Sequence, residues 1–394
     1  MSTVADPTGF GFDPYDPELT EPAVWNRYRA AQNLGGAVRA PDRDGFWLVT
    51  SYDEVRTALR DPATFSSASG HRIPTDGSRR AIPIDFDPPL HTAYRALMAE
   101  ALSPARVRAL RPFLAEVVTR LVDDFAAAGG GDFVSAVALP LPLQVLTELV
   151  GFSGETVAQF RTLTEELWSR YVDVDPAESH RRLWELMRAE LADHRARPRD
   201  DFLGSLLHAE IEGRPIREDE QVGILATFAV AGHETTMNAA ATLAWLLVEH
   251  PEAQAALRAD PTRARAFVEE MLRHRSPAQN FARRTTCPAR VGGTAVAEGD
   301  AVLLSLAAAN RDPERFPDPD RFDPDRDARG HLAFGWGIHQ CIGAPLARTE
   351  LVLLLEELAA RPPLCAAGPP VWSSLQGGNH LGLTHLPLLF EEET

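Results

Sequence analysis

Cysteine is scarce in this 394-residue chain. The three present, Cys287, Cys341 and Cys365, are too few and too scattered for a disulfide framework. No CxxC pair occurs, which argues against a structural zinc site and fits a reducing compartment. Long apolar runs are also missing. The longest, near 224–232 and 351–355, fall well short of the ~20 residues that span a bilayer. The opening residues, Met-Ser-Thr-Val-Ala-Asp-Pro, carry no basic segment ahead of an apolar core, so no signal peptide is expected. Positive charge is in deficit: 39 Lys+Arg against 56 Asp+Glu give a net charge of −17. Such a surface repels nucleic acid and anionic membrane, and neither is expected as a partner. A soluble cytoplasmic protein is the expectation.

Hydrophobic residues make up 44% and charged residues 24%, the balance of an ordinary globular protein. A prior of roughly 150 residues per domain suggests two or three domains. No linker, repeat or low-complexity segment divides the chain, however, and residues 1–394 read as one domain. Helical periodicity is found at 21–32, 51–60, 89–128, 143–149, 154–171, 179–195, 202–212, 218–250, 262–274 and 343–360. The longest of these, 218–250, is interrupted by Gly232 and stopped by Pro251. Short strands are expected at 45–50, 289–291, 295–296 and 301–304, with a strand pair in 382–390. Between 65 and 87 the periodicity lapses into an irregular segment of the length that usually carries function. Residues 311–329 are Pro/Asp-dense coil. The fold class is mainly α with minor β.

The segment 334–343, Phe-Gly-Trp-Gly-Ile-His-Gln-Cys-Ile-Gly, is the most informative. Gly335 and Gly337 permit positive φ or close backbone approach to a flat ligand. Cys341 stands at the start of a helix, where unpaired N–H groups and the positive dipole end favour a thiolate. A thiolate so held can be an axial haem ligand. A lone cysteine is otherwise an inert buried residue, and the surrounding pattern has to decide. That pattern resembles the haem-binding loop of the cytochrome P450 monooxygenases, FGxGxHxCxG, with Phe334, Gly335, Gly337, His339, Cys341 and Gly343 all matching.

Three further segments resemble the same family in the right order. Glu270-Met-Leu-Arg273 is similar to its ExxR motif, two side chains on one helix face, and Arg321 of Pro319-Asp-Arg321-Phe322 matches the arginine that joins the pair. Ala231-Gly-His-Glu-Thr-Thr236 is similar to the central-helix motif AGxE/DTT. The resemblance implies that Thr235 orients dioxygen and Glu234 relays protons. Asp87-Pro-Pro-Leu-His-Thr-Ala-Tyr-Arg95 resembles the entry to the family's C helix. It implies that His91 and Arg95 bind haem propionates, with Arg284 (or its neighbour Arg283) and His339 beside them.

The resemblance implies the cytochrome P450 fold, a triangular helical domain with small sheets and haem b buried between the central and C-terminal helices. It implies Cys341 as iron ligand and an enzyme that activates O2 to hydroxylate or oxidatively couple a small organic substrate. Electrons would come from a separate ferredoxin or flavodoxin, docked by candidates Arg106, Arg108, Arg111 and Arg348. Substrate contacts map to 66–84, 227–235, 277–282 and 376–383, with Phe228, Ala231, Gln279, Phe281 and Asn379 as candidates. The polar share of these residues, Arg72 and Asn280 included, favours a functionalised, ring-containing natural product. The alternatives are a non-catalytic haem sensor and a peroxide-dependent haem enzyme. Intact Glu234 and Thr235 argue against both.

Overall fold

The computed structural model describes residues 9–75, 80–169, 176–375 and 377–391. Helices α1 (Ala23–Asn33) and α2 (Tyr52–Arg60) flank the first strand pair. The single helix expected over 89–128 is two, α3 (Leu90–Ala99) and α4 (Pro104–Ala127). Ser103 restarts the chain as an N-cap, its hydroxyl accepting from the Arg106 N–H, and Pro104 occupies the first helical position. Next come α5 (Pro140–Val150), α6 (Gly154–Ser169) and α7 (Pro176–Ala196). The short α8 (Phe202–Leu207) stops before the expected 212, because Glu212 and Gly213 take positive φ and turn a hairpin between Glu210–Ile211 and Arg214–Pro215.

Helix α9 (Glu218–Glu249) crosses the molecule, buried on nearly every face. Its first turn is fixed by Glu220, which accepts from the Arg217 N–H at 2.8 Å, the Tyr94 hydroxyl at 2.7 Å and both Arg214 terminal nitrogens at 2.8 and 2.7 Å. Those Arg214 bonds, first among its partners, pull the Glu220 carboxyl down to about 2. The expected interruption at Gly232 does not occur, and the helix runs through it. The glycine serves packing instead: a Cβ there would lie 3.2 Å from Leu146 of α5. The tight crossing offsets the ~1 kcal/mol that glycine costs a helix.

The chain then forms α10 (Pro251–Ala259), α11 (Ala264–His274), the one-turn α12 (Leu306–Ala309) and α13 (Ala344–Ala359). Helix α13 packs against α4, α9 and α11, within the largest apolar cluster. Five strands make the main sheet: β1 (Ala37–Ala40), β2 (Phe46–Val49), β3 (Phe65–Ser66), β4 (Asn280–Thr285) and β5 (Ala301–Ser305), in the order β1-β2-β5-β4-β3. Strand β4 escapes sequence reading because Asn280, Arg283 and Arg284 lack strand propensity, and tertiary partners hold them there. The tail strands do not pair with each other as expected. Leu383–His385 joins Val371–Trp372, and Pro387–Phe390 lies between Leu364–Ala366 and Gly131–Asp132. Among the described residues, no helix is long and apolar enough to cross a membrane.

Candidate active site

The Cys341 loop is shaped by its glycines. Gly337 has φ +72°, and a Cβ there would strike the Leu59 carbonyl at the end of α2. The Cys341 N–H donates to the Phe334 carbonyl at 2.8 Å and closes the loop. Burial pushes the Cys341 thiol up, against the Gly343 and Ala344 N–H groups and the Arg95 and Arg348 charges, which pull it down. Burial outweighs them and holds the thiol above its ordinary value. Cys341 is nevertheless open at its surface, as are Ala231 and Gly232 in the middle of otherwise buried α9.

Beside the loop, five cation-forming side chains converge. The His91 and His339 rings stand 4.4 Å apart, and both His91 nitrogens are buried without a partner. Arg95 donates to the Gln340 carbonyl at 2.6 Å. Arg283 is buried, and among the described residues its guanidinium donates only to the Ala282 carbonyl, at 2.7 Å. His71 completes the set. Two carboxylates face it, and both are engaged. Asp85 accepts from His71 and the Ala81 N–H at 2.7 Å each, and Asp87 from the Ser66 hydroxyl and, at 3.0 Å, the Ser67 N–H. Burial, then the neighbouring cations Arg283, His91, Arg95 and His71, press the His339 pKa down to about 2. Burial and then Arg95 lower that of His91. Burial brings Arg283 down to about 10. Such a cluster is matched to a buried dianion.

Arg284, the expected propionate residue, lies on the other face of β4. It donates to Thr75 Oγ1 and the Thr75 carbonyl at 3.0 and 2.9 Å, and to the Gly299 carbonyl at 3.1 Å. Strand alternation makes Arg283 the inward residue. Arg283→Leu is therefore expected to speed transfer of the cofactor to an acceptor globin several-fold, while Arg284→Leu leaves that rate unchanged. Equal rates for the two variants would contradict the assignment.

On α9, the Thr235 hydroxyl donates to the Ala231 carbonyl at 2.8 Å, and Glu234 Oε2 lies 3.3 Å from His380 Nδ1. Burial raises the Glu234 pKa, but His380 and then Arg72 and His233 outweigh it and hold the carboxyl below its ordinary value. The pocket candidates separate. Phe281 stands 6.0 Å from the His71 ring. Asn379 donates to the His71 carbonyl at 3.4 Å. Phe228 packs into the core against Phe202, with 4.9 Å between centroids. Gln279 lines a separate crevice with Trp25, Arg275 and Trp372. Gln376 and residues 76–79 of the expected pocket segments lie outside the described residues.

Beneath the loop, Arg273 and Glu270 are fully buried and bridged by two hydrogen bonds of 2.7 Å. Arg273 also donates to the Asn310 and Pro319 carbonyls, both at 2.9 Å. Arg321 contributes only its backbone carbonyl. The side chain that reaches Glu270 is Arg326, at 3.3 Å, and the Asp323 N–H joins it at 3.0 Å. Arg321 therefore lacks the expected role, because the coil turns its side chain outward. The adjacent Glu269 forms a second clamp. It accepts from Arg348 at 2.6 Å and lies 3.0 Å from His331 Nε2, while the Arg348 guanidinium sits 4.4 Å from the Phe334 ring centroid. Arg348 is thus committed to the loop.

Burial pushes Glu269 up, and His331 and Arg348 more than reverse it, to about 2 against an ordinary 4.5. A depressed carboxyl stabilises the fold fully above its unfolded pKa and loses that share as pH falls toward the folded one. Urea stability should thus fall more steeply from pH 4.5 to 2.5 in the native protein than in Glu269→Gln, by a few kcal/mol. Parallel curves would refute the clamp.

Sequence reasoning missed Arg326, His380 and the His71–Asp85 pair. None sits in a motif, and each is joined to its partner only by the tertiary fold. The structure thus brings together a long helix with an acid–alcohol pair, a buried Glu–Arg anchor and a glycine-framed cysteine beside a cationic cluster. The family model for cytochrome P450 matches residues 145–360, more than half of the chain. The chain is 38% identical over 364 residues to the cytochrome P450 monooxygenase PikC of Streptomyces venezuelae, covering 90% of this chain and 85% of that protein. It is 36% identical over 330 residues to the erythromycin C-12 hydroxylase of Saccharopolyspora erythraea, covering 81% and 83%. The structure of cytochrome P450 CYP109Q5 from Chondromyces apiculatus superposes with a TM-score of 0.83 at 32% identity, covering 98% of each chain. This chain belongs to the cytochrome P450 family and is a monooxygenase of the haem-thiolate class.

Proposed function

We propose that the protein hydroxylates or oxidatively couples a functionalised, ring-containing secondary metabolite, as one cytoplasmic domain supplied with electrons by a separate ferredoxin or flavodoxin. The carrying observation is the cationic cluster beside Cys341, whose two facing carboxylates are already engaged. It fits the two propionates of a haem. In this reading Cys341 ligates the iron, while His91, Arg95, Arg283 and His339 hold the propionates between α9 and the start of α13. Haem b suits the chain because no CxxC pair is available for covalent attachment. Bound there, the haem supplies dioxygen activation, with thiolate ligation favouring O–O cleavage.

The protein's own part is positioning and proton supply. Thr235 and Glu234 stand on α9 one turn beyond the open Ala231–Gly232 step. Glu234, held as a carboxylate, takes protons from outside the pocket and passes them toward the Thr235 hydroxyl. Exposed Arg106 and Arg108 on α4 offer charge to an acidic electron carrier, whereas Arg111 is shared with Glu356 at 3.4 Å. The substrate class draws on the relatives, which include an erythromycin hydroxylase, and on polar groups among the pocket segments. The test is a spin-state titration of the haem-loaded protein against macrolactones, cyclic peptides and fatty acids. A low-to-high-spin shift with the ring compounds alone is expected; a shift only with fatty acids would overturn the substrate class.

A further inference from the structure

The imidazole beside Glu234 comes from a segment far along the chain. His380 lies in the turn after Trp372, joined by an isolated β-bridge to Ala278. Its Nδ1 is 3.3 Å from Glu234 Oε2 at an angle short of a hydrogen bond, and Glu234 Oε1 is buried with no partner. Arg72 belongs to the irregular segment ahead of α3. Its Nε is buried without a partner, and its guanidinium lies against Gly377, where φ is +56° and a Cβ would collide with it. Backbone bonds bind the same pieces together. The His71 carbonyl accepts from the Ala282 N–H at 2.8 Å and from Asn379 Nδ2, and the Gln279 N–H donates to the Asn379 carbonyl at 2.6 Å. The 377–383 turn therefore meets α9 at the Glu234 carboxylate, and the Arg72 segment lies against that turn. The charged and titratable groups facing the carboxylate are His380 from the turn, Arg72 from the irregular segment and His233 from α9 itself.

We propose that His380 is a positioning residue for Glu234, acting with Arg72 as a latch that docks residues 71–75 and 377–383 onto α9 and aims the carboxylate for proton delivery. The latch rests on the relay role assigned to Glu234 above. Proton supply is then available only when both segments are docked, which ties it to closure of the pocket around substrate. Loss of the His380 imidazole lets the carboxylate turn away and frees both segments at once.

The test uses the haem-loaded protein and the variants His380→Gln, His380→Arg, Glu234→Gln and the His380→Gln/Glu234→Gln double. Amide hydrogen exchange is followed in 71–75 and 377–383. Roughly tenfold faster exchange is expected in both segments of His380→Gln, the factor that corresponds to about 1.4 kcal/mol. Glu234→Gln should match it, the double should add nothing, and His380→Arg should return exchange toward the native rate. In parallel, NADPH-driven peroxide release is measured against pH with a plant-type ferredoxin and its reductase. Removing the His380 imidazole removes an influence that lowers the Glu234 pKa, so the acid limb of the profile moves to higher pH in His380→Gln and stays in place in His380→Arg. Faster exchange confined to 377–383, additive effects in the double, or an unmoved acid limb would each overturn the latch. Exchange needs no turnover. A latch present in a protein without oxygen chemistry would overturn the functional reading alone.

Discussion

Cys341→Ser is expected to reduce NADPH-driven oxidation to background while leaving the fold intact. A serine hydroxyl keeps nearly the shape of the thiol, and the Ala344 N–H still donates to the residue-341 carbonyl at 3.4 Å. The loop itself is closed by backbone, through the Cys341 N–H and Phe334 carbonyl. On the proposed ligation by Cys341, what is lost is the sulfur's electron donation to the iron, for which an alcohol oxygen is a poor substitute. The reduced, carbonyl-bound difference spectrum should lose its strongly red-shifted Soret band and show one at the position of haem without thiolate. The cationic cluster is untouched, so haem content should persist. An unshifted band in the variant would remove Cys341 from the iron.

Glu270→Ala should be the most damaging single change to stability. It strands Arg273, whose side chain is wholly buried, without its only carboxylate partner among the described residues. Breaking such a pair costs roughly 3–5 kcal/mol, a large part of a typical net stability of about 5–15 kcal/mol. Arg326 and the Asp323 N–H lose the same acceptor, so the coil from 311 to 329 loosens with it. The expected result is little soluble haem-loaded protein and a thermal midpoint well below the native one. Glu270→Gln/Arg273→Met, which removes both charges and keeps volume, should recover part of the loss. A native midpoint in Glu270→Ala would show that the pair is dispensable.

Local spacing made the central features legible in the sequence. The Cys341 loop, the 231–236 step of α9 and the Glu270–Arg273 turn each lie within one helical turn or one loop, and the structure places them as such. Choices that depend on register or on distant pairing were not legible. Arg283 and Arg284 differ only in which face of β4 they occupy, and β4 is recognisable only from its neighbours β3 and β5. Arg326 rather than Arg321 reaches Glu270 because of how an aperiodic coil winds, which no pattern encodes. The break expected at Gly232 followed from propensity alone, whereas the packing of Leu146 decides that the helix continues.

The alternation along β4 has a consequence for how this pocket can diversify. Phe281 and Arg283 share one face, two residues apart, so the residue beside His71 and the residue in the cationic cluster move as one piece. Substitution at 281 changes pocket shape and leaves the strand's register alone. An insertion or deletion of a single residue just ahead of Phe281 would instead shift the register, turn both side chains away at once and bring Arg284 inward. Variation in this stretch is thus confined to side-chain exchange at constant length, and a library built here should randomise identities and keep spacing fixed.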